Sequence, residues 1–182
     1  MQEERAPDNR INKITHWSFA GGILGILTLI FLDMPFLSES SSAILNFSAS
    51  FSGFFLMAPW SFTSPFGSAL GPVSLFDLLW LNFAGGMVAA VAGFTLTDRV
   101  MHGWVFSSIP SSRNAAMMLL FSGLLVIAGS IAALAQLLVT MSQTAVIIFG
   151  IKYFVGWAVF AELLIGPAII ILASVTLRNI PK

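Results

Sequence analysis

Four apolar stretches, each long enough to cross a lipid bilayer, are separated by short polar segments that hold nearly every Lys and Arg of the chain. No other feature limits the possible folds as strongly. A helix needs about 20 apolar residues to traverse a hydrocarbon core of roughly 30 Å, so a chain of this length accommodates about four to six crossings and no sizeable soluble domain. Composition agrees: 57% of residues are hydrophobic, 9% are charged, and the mean hydropathy is +0.92. Soluble domains carry roughly a quarter charged residues. The expectation is an all-α polytopic membrane protein, integral and multi-pass, forming a single transmembrane domain over residues 1–182 with the lipid bilayer as its solvent.

The four spans are expected at about 17–37, 73–96, 115–139 and 150–177. Residues 1–16 are polar and of mixed charge, which reads as a short exposed arm. The first apolar run follows Arg10 and Lys13 and precedes a small-residue segment from Ser38 to Ala43, an order that also suits a signal peptide. It is read as a retained signal anchor or first span. Gly71 and Pro72 lead into the second span, where proline suits a first helical turn. The fourth run is longer than a perpendicular crossing needs, so it must tilt, kink at Pro167 or begin outside the core. Lys152, Tyr153 and Trp157 near its start form an interfacial anchor.

Between the first two spans, residues 43–60 are ambiguous. At helical spacing Phe47, Phe51, Phe54, Phe55 and Ala58 fall on one side, and Asn46, Ser48, Ala49, Ser52 and Gly53 on the other. An amphipathic interfacial helix is one reading and a re-entrant helix the other. Charge arbitrates. With 43–60 on the outer face, four spans put Arg5, Arg10, Lys13, Arg99, Arg113, Arg178 and Lys182 all on the cytoplasmic side, together with both termini, as the positive-inside rule asks. Five spans break that pattern. Six restore it only by cutting 65–96 into two helices of about 15 residues, each short for a bilayer. The preferred architecture is a four-helix transmembrane bundle plus one amphipathic helix, with six spans as runner-up.

The spans carry a packing signature. Gly21, Gly25 and Thr28 share a face of the first; Asn82, Gly86, Ala89 and Gly93 share one on the second; Ser122, Gly129, Ala133 and Gln136 share one on the third. Small residues at this spacing let helix backbones approach, and van der Waals contact then replaces the hydrophobic drive that lipid removes.

Ionisable groups within the spans are costly and mark candidate sites. Glu162 stands out. Measured along a continuous helix it lies about 15 Å from Lys152, near the midplane if Lys152 sits at the outer interface. Ala158 and Gly166, a turn on either side, turn its face to the bundle. Pro167 leaves the Leu163 carbonyl without its usual donor, and a carboxyl beside a free carbonyl suits a proton or small cation. A neutral Glu bonded to a neighbouring helix is the structural alternative. Asp33, Asp77 and Lys152 fall in the outer half, with Asp77 and Lys152 as a plausible ion pair; with Glu162 they complete the candidate ligand- or ion-binding set.

Other chemistry is not supported. The chain has no cysteine, which excludes disulfides, thiolate metal sites and Cys nucleophiles. There is no Gly-x-Ser-x-Gly elbow, Walker loop, His-Glu-x-x-His helix or Cys/His cluster, so no catalytic residue, metal or cofactor is assigned. His16 and His102 flank the cytoplasmic boundary beside Trp17 and Trp104 and read as interfacial polar residues rather than haem ligands. Net charge is zero, with no basic run interleaved with aromatics, so no nucleic-acid partner is expected. The functional expectation is a non-catalytic subunit or accessory component of a larger membrane assembly, partnered by other membrane subunits or by copies of itself. The alternative is a solute- or ion-binding component of a transporter using Glu162, Asp77 and Lys152.

Overall fold

The computed structural model describes residues 6–41, 47–57, 78–102, 109–142 and 151–180. Among them, four helices are long and apolar enough to cross a membrane: α1 (Ala6–Phe31), α3 (Trp80–Met101), α4 (Ile109–Ser142) and α5 (Trp157–Asn179). They pack in a ring in the order α1, α3, α4, α5, with α5 closing back on α1. Neighbouring helices along the chain run antiparallel. A short helix α2 (Gly53–Met57) and three strands, β1 (Pro35–Ser41), β2 (Phe47–Ser52) and β3 (Ile151–Val155), cap one end.

The sheet departs from an all-α expectation. Its order is β2-β1-β3 and both pairings are antiparallel, with Ser38 opposite Ser50 on one side and opposite Phe154 on the other. The Ser38 and Ser50 hydroxyls meet at 3.2 Å across the first pair. Residues 47–52, expected within an amphipathic helix over 43–60, are strand. Their sequence explains it: Phe47, Ala49 and Phe51 alternate with Ser48, Ser50 and Ser52, a period of two that puts each set on its own sheet face. Only Gly53–Met57 is helical; 43–46 and 58–60 lie outside the described residues.

The fourth apolar run is likewise divided. Residues 151–155 pair with β1, and the helix begins at Trp157 instead of 150. Gly156 makes the change of direction, its backbone extended (φ −68°, ψ 148°) and its N–H donating to the Phe36 carbonyl at 2.8 Å. That backbone conformation is open to any residue. What requires glycine is space, because a Cβ here would overlap the Pro35 carbonyl oxygen. The surplus length of the fourth run is therefore strand outside the bundle, and Pro167 sits within a continuous α5.

Helix ends follow local chemistry. Pro35 cannot continue α1, whose last turn tightens through bonds from the Asp33 and Met34 N–H groups to the Ile30 and Phe31 carbonyls. The first span thus ends at Phe31, short of Leu37. At the other end, residues 10–16 extend the helix instead of forming an exposed arm. Ile14 is buried against Leu96, Val100, Ala116 and Ile180. The second span runs from Trp80 to Met101, shifted from 73–96, and the third exceeds 115–139 at both ends.

Two glycine seams bring helices into near contact. Gly25 faces Gly86 across α1 and α3, and Gly123 faces Gly166 across α4 and α5, where an added Cβ on Gly123 would stand 2.8 Å from the Gly166 carbonyl oxygen. Gly21 abuts Leu119, Gly93 abuts the Gly22 backbone, Gly129 abuts Asn82, and Ala133 lies in the apolar cluster beneath the sheet. Arg10, Lys13, Arg99, Arg113 and Arg178 all occupy the end of the bundle away from the sheet; of the described basic residues only Lys152 belongs to the sheet end.

Candidate functional site: a polar layer beneath the sheet

The bundle interior divides into three apolar clusters. One beneath the sheet includes Leu32, Leu79, Ala133 and Val159; a central one includes Ala89, Leu119, Ile165 and Ile169; a third surrounds Ile14 at the opposite end. Between the first two clusters every long helix presents a buried polar residue: Thr28 on α1, Asn82 on α3, Ser130 on α4 and Glu162 on α5. Three contacts register them at one level. Leu29 packs on Gly86, one turn from Asn82; Asn82 Nδ2 donates to Ser130 Oγ at 2.9 Å; Gly166, one turn from Glu162, rests on Ile127, one turn from Ser130.

Glu162 is fully buried, and neither carboxyl oxygen has a hydrogen-bond partner among the described residues. The same holds for Asn82 Oδ1. Asn82 is nonetheless firmly placed: its amide nitrogen is held by Ser130, whose own hydroxyl donates to the Val126 carbonyl at 2.8 Å, and Gly129 leaves the space that its oxygen fills. Glu162 is held on its face by Ala158 and Gly166, both buried. Thr28 is satisfied locally, donating to the Leu24 carbonyl at 3.1 Å.

A second polar level, nearer the opposite end, behaves differently. Ser18 and Thr97 hydroxyls meet at 2.9 Å between α1 and α3, Thr97 donates to the Gly93 carbonyl, and Thr176 donates to the Leu172 carbonyl. There Ser18 and Thr97 join α1 to α3, Thr176 is satisfied within its own helix, and none of the three is stranded. The layer beneath the sheet instead leaves three acceptor oxygens, two of carboxylate and one of amide type, without donors among the described residues. An unpartnered buried acceptor costs on the order of 1–3 kcal/mol, more when charged. Such oxygens are hard donors suited to a proton or a small hard cation.

Of the other expected site residues, Asp33 follows the last turn of α1 and is exposed, lining a recess of about 420 Å³ with Pro35 and Ser50 to Ser52. Lys152 lies in β3 opposite Ser40. The chain from Lys152 to Glu162 is therefore not one helical path; it is extended as far as Gly156. Thr28, Asn82 and Glu162 lie within about 8 Å of the sheet-end termini of their helices at 1.5 Å per residue, nearer the mouth than the middle of the bundle. Asp77, and with it the expected pair to Lys152, falls outside the described residues. Asp33 and Lys152 belong to the sheet end above the layer and do not join Glu162 within it.

Asn82 and Ser130 are the residues that sequence reasoning left out of the site. Asn82 was grouped with the small-residue stripe, although a lone amide inside an apolar span is itself a marker of a buried polar contact. No group of three or more His, Asp or Glu residues gathers among the described residues. His16 is exposed, and His102 closes α3 with its Nδ1 3.2 Å from Asp98 Oδ1. Comparison with protein-family models, curated proteins and solved structures finds no match.

Proposed function

We propose that this chain is a non-catalytic integral membrane protein that serves as a small subunit or accessory component of a larger membrane assembly, with its termini on the cytoplasmic side. The observation that carries the reading is the platform at the sheet end. Three strands drawn from both sheet-end connections are fixed to the bundle through Gly156, Pro35 and Phe36, which gives that end a defined shape for another protein to meet. The glycine seams are occupied by the chain's own helices, so assembly uses outer surfaces. The cytoplasmic assignment rests on the gathering of Arg10, Lys13, Arg99, Arg113 and Arg178 at the end away from the sheet. The test is native purification of the full chain in a mild detergent, followed by cross-linking and sizing. Stoichiometric recovery of a second membrane chain, or of a defined oligomer, supports the reading; recovery only as a lone monomer overturns it.

A second reading has its own support in the unpartnered oxygens of Glu162 and Asn82. In it the chain is the ion- or proton-binding component of a transporter, with the layer beneath the sheet as the binding level. Glu162→Gln keeps the shape of the side chain and removes its charge. Ion or proton binding by the purified protein that is unchanged in this variant removes the reading.

A further inference from the structure

The outer surface between α3 and α4 carries a groove of about 410 Å³ at the end away from the sheet. Its walls are of two kinds. Met87, Val91 and Met118 line the upper part, while Arg99, Ser111 and Asn114 line the lower. From Met87 to Arg99 the groove follows α3 for about 18 Å at 1.5 Å per residue. Its apolar part faces outward at the level of the bundle interior, where the surrounding solvent is hydrocarbon. Its polar part sits at the last turn of α3 and the first turns of α4.

We infer that this groove is a binding site for an anionic phospholipid, with an acyl chain along Met87, Val91 and Met118 and the headgroup phosphate at Arg99, Ser111 and Asn114. Arg99 is half-buried, so its aliphatic stem lines the groove while the guanidinium reaches the headgroup level. Its charge is available: the adjacent Asp98 carboxylate is engaged by His102 at 3.2 Å, and Arg99 has no ion-pair partner among the described residues. A guanidinium binds phosphate oxygens through paired N–H donors. Ser111 belongs to the first turn of α4, so the positive end of that helix dipole also faces this level. The exposed Arg113 adds a second positive charge at the same level. Charge selects an anionic headgroup, and the apolar wall above it selects a lipid over a soluble phosphate.

The experiment is native mass spectrometry of the full chain in a non-ionic detergent, titrated with phosphatidylglycerol and phosphatidylcholine of identical acyl chains. The wild type is expected to retain phosphatidylglycerol about fivefold better, the scale of one arginine at a membrane surface. Arg99→Gln is expected to bring the two lipids to near parity, and Arg99→Lys to keep most of the preference. Val91→Trp, at an exposed position, fills the apolar wall and is expected to lower retention of phosphatidylglycerol with Arg99 intact. Unchanged preference in Arg99→Gln overturns the site, as does unchanged retention in Val91→Trp. Displacement of the lipid by soluble glycerol phosphate at equal concentration overturns the lipid assignment.

Discussion

Asn82 donates to the Ser130 hydroxyl at 2.9 Å and so fixes α3 against α4, yet the carbonyl oxygen of the same amide has no donor among the described residues. This half-satisfied clasp stands at the level of Glu162, whose two oxygens are also unpartnered. Lower in the bundle, the Ser18–Thr97 contact ties α1 to α3 and leaves nothing stranded. The contrast separates a polar pair that holds helices together from a polar layer with unused acceptor capacity. Interhelical hydrogen bonds in lipid contribute only about 0.6 kcal/mol on average, too little to offset three acceptors without donors.

Replacing Glu162 with an apolar residue of similar length should therefore stabilise the bundle. Glu162→Met is expected to raise the unfolding free energy by about 1–3 kcal/mol, because it removes two unpartnered oxygens without opening a cavity. Denaturant titration of the detergent-solubilised protein measures it. A loss of stability would show that the carboxyl is held by a partner and that the layer is structural.

Glycine substitutions should differ according to what they meet. A Cβ on Gly93 would stand 2.5 Å from the Gly22 backbone nitrogen, whereas the nearest atoms to one on Gly22 are those of the Phe94 ring at 3.2 Å. Backbone cannot yield and a partly exposed ring can. Gly93→Ala is expected to cost about 1–3 kcal/mol and Gly22→Ala within about 0.5 kcal/mol, read as shifts in thermal unfolding. Equal effects would contradict the close approach of α1 and α3.

Gly156→Ala should uncouple the sheet from the bundle. Hydrogen exchange is the suitable readout: residues 35–41 and 151–155 are expected to lose protection while α3 and α4 keep theirs, since only the contact with Pro35 and Phe36 is disturbed. Full protection of both strands in the variant would mean that the junction does not depend on glycine.

The chain has no cysteine, so single introduced thiols report topology without background. Ser48→Cys and Lys13→Cys, both at exposed positions on opposite ends of the bundle, are expected to react with a membrane-impermeant maleimide from opposite sides, Lys13→Cys from the cytoplasm. Labelling of both from one side contradicts a four-crossing bundle.

Hydropathy made the four apolar helices legible, and the lone carboxylate in the last of them drew notice for the same reason: lipid leaves few alternatives to either. The sheet was hidden by coincidence of periods. Phe47 and Phe51 are four residues apart, a spacing shared by a helix face and a strand face, and only the serines at 48, 50 and 52 distinguish them. In the fourth run, Ile151 to Val155 is apolar enough to pass for helix, and the break at Gly156 depends on Pro35, far away in sequence. The site was half legible. Glu162 could be found from composition, but its level with Asn82 and Ser130 follows from helix register, which no single segment encodes. The path from Lys152 to Glu162 is strand as far as Val155 and helix only from Trp157, a division that the apolar run by itself does not mark.

The central strand β1 follows the first crossing, and its neighbour β3 immediately precedes the last. During synthesis, β1 must therefore wait for nearly the whole polypeptide before its second edge is covered. A chain interrupted after α4 keeps three of its four long helices but leaves that edge open, so the arrival of the final segment and the completion of the sheet become a single event. The fold thereby distinguishes finished molecules from partial ones by whether the second edge of β1 is covered.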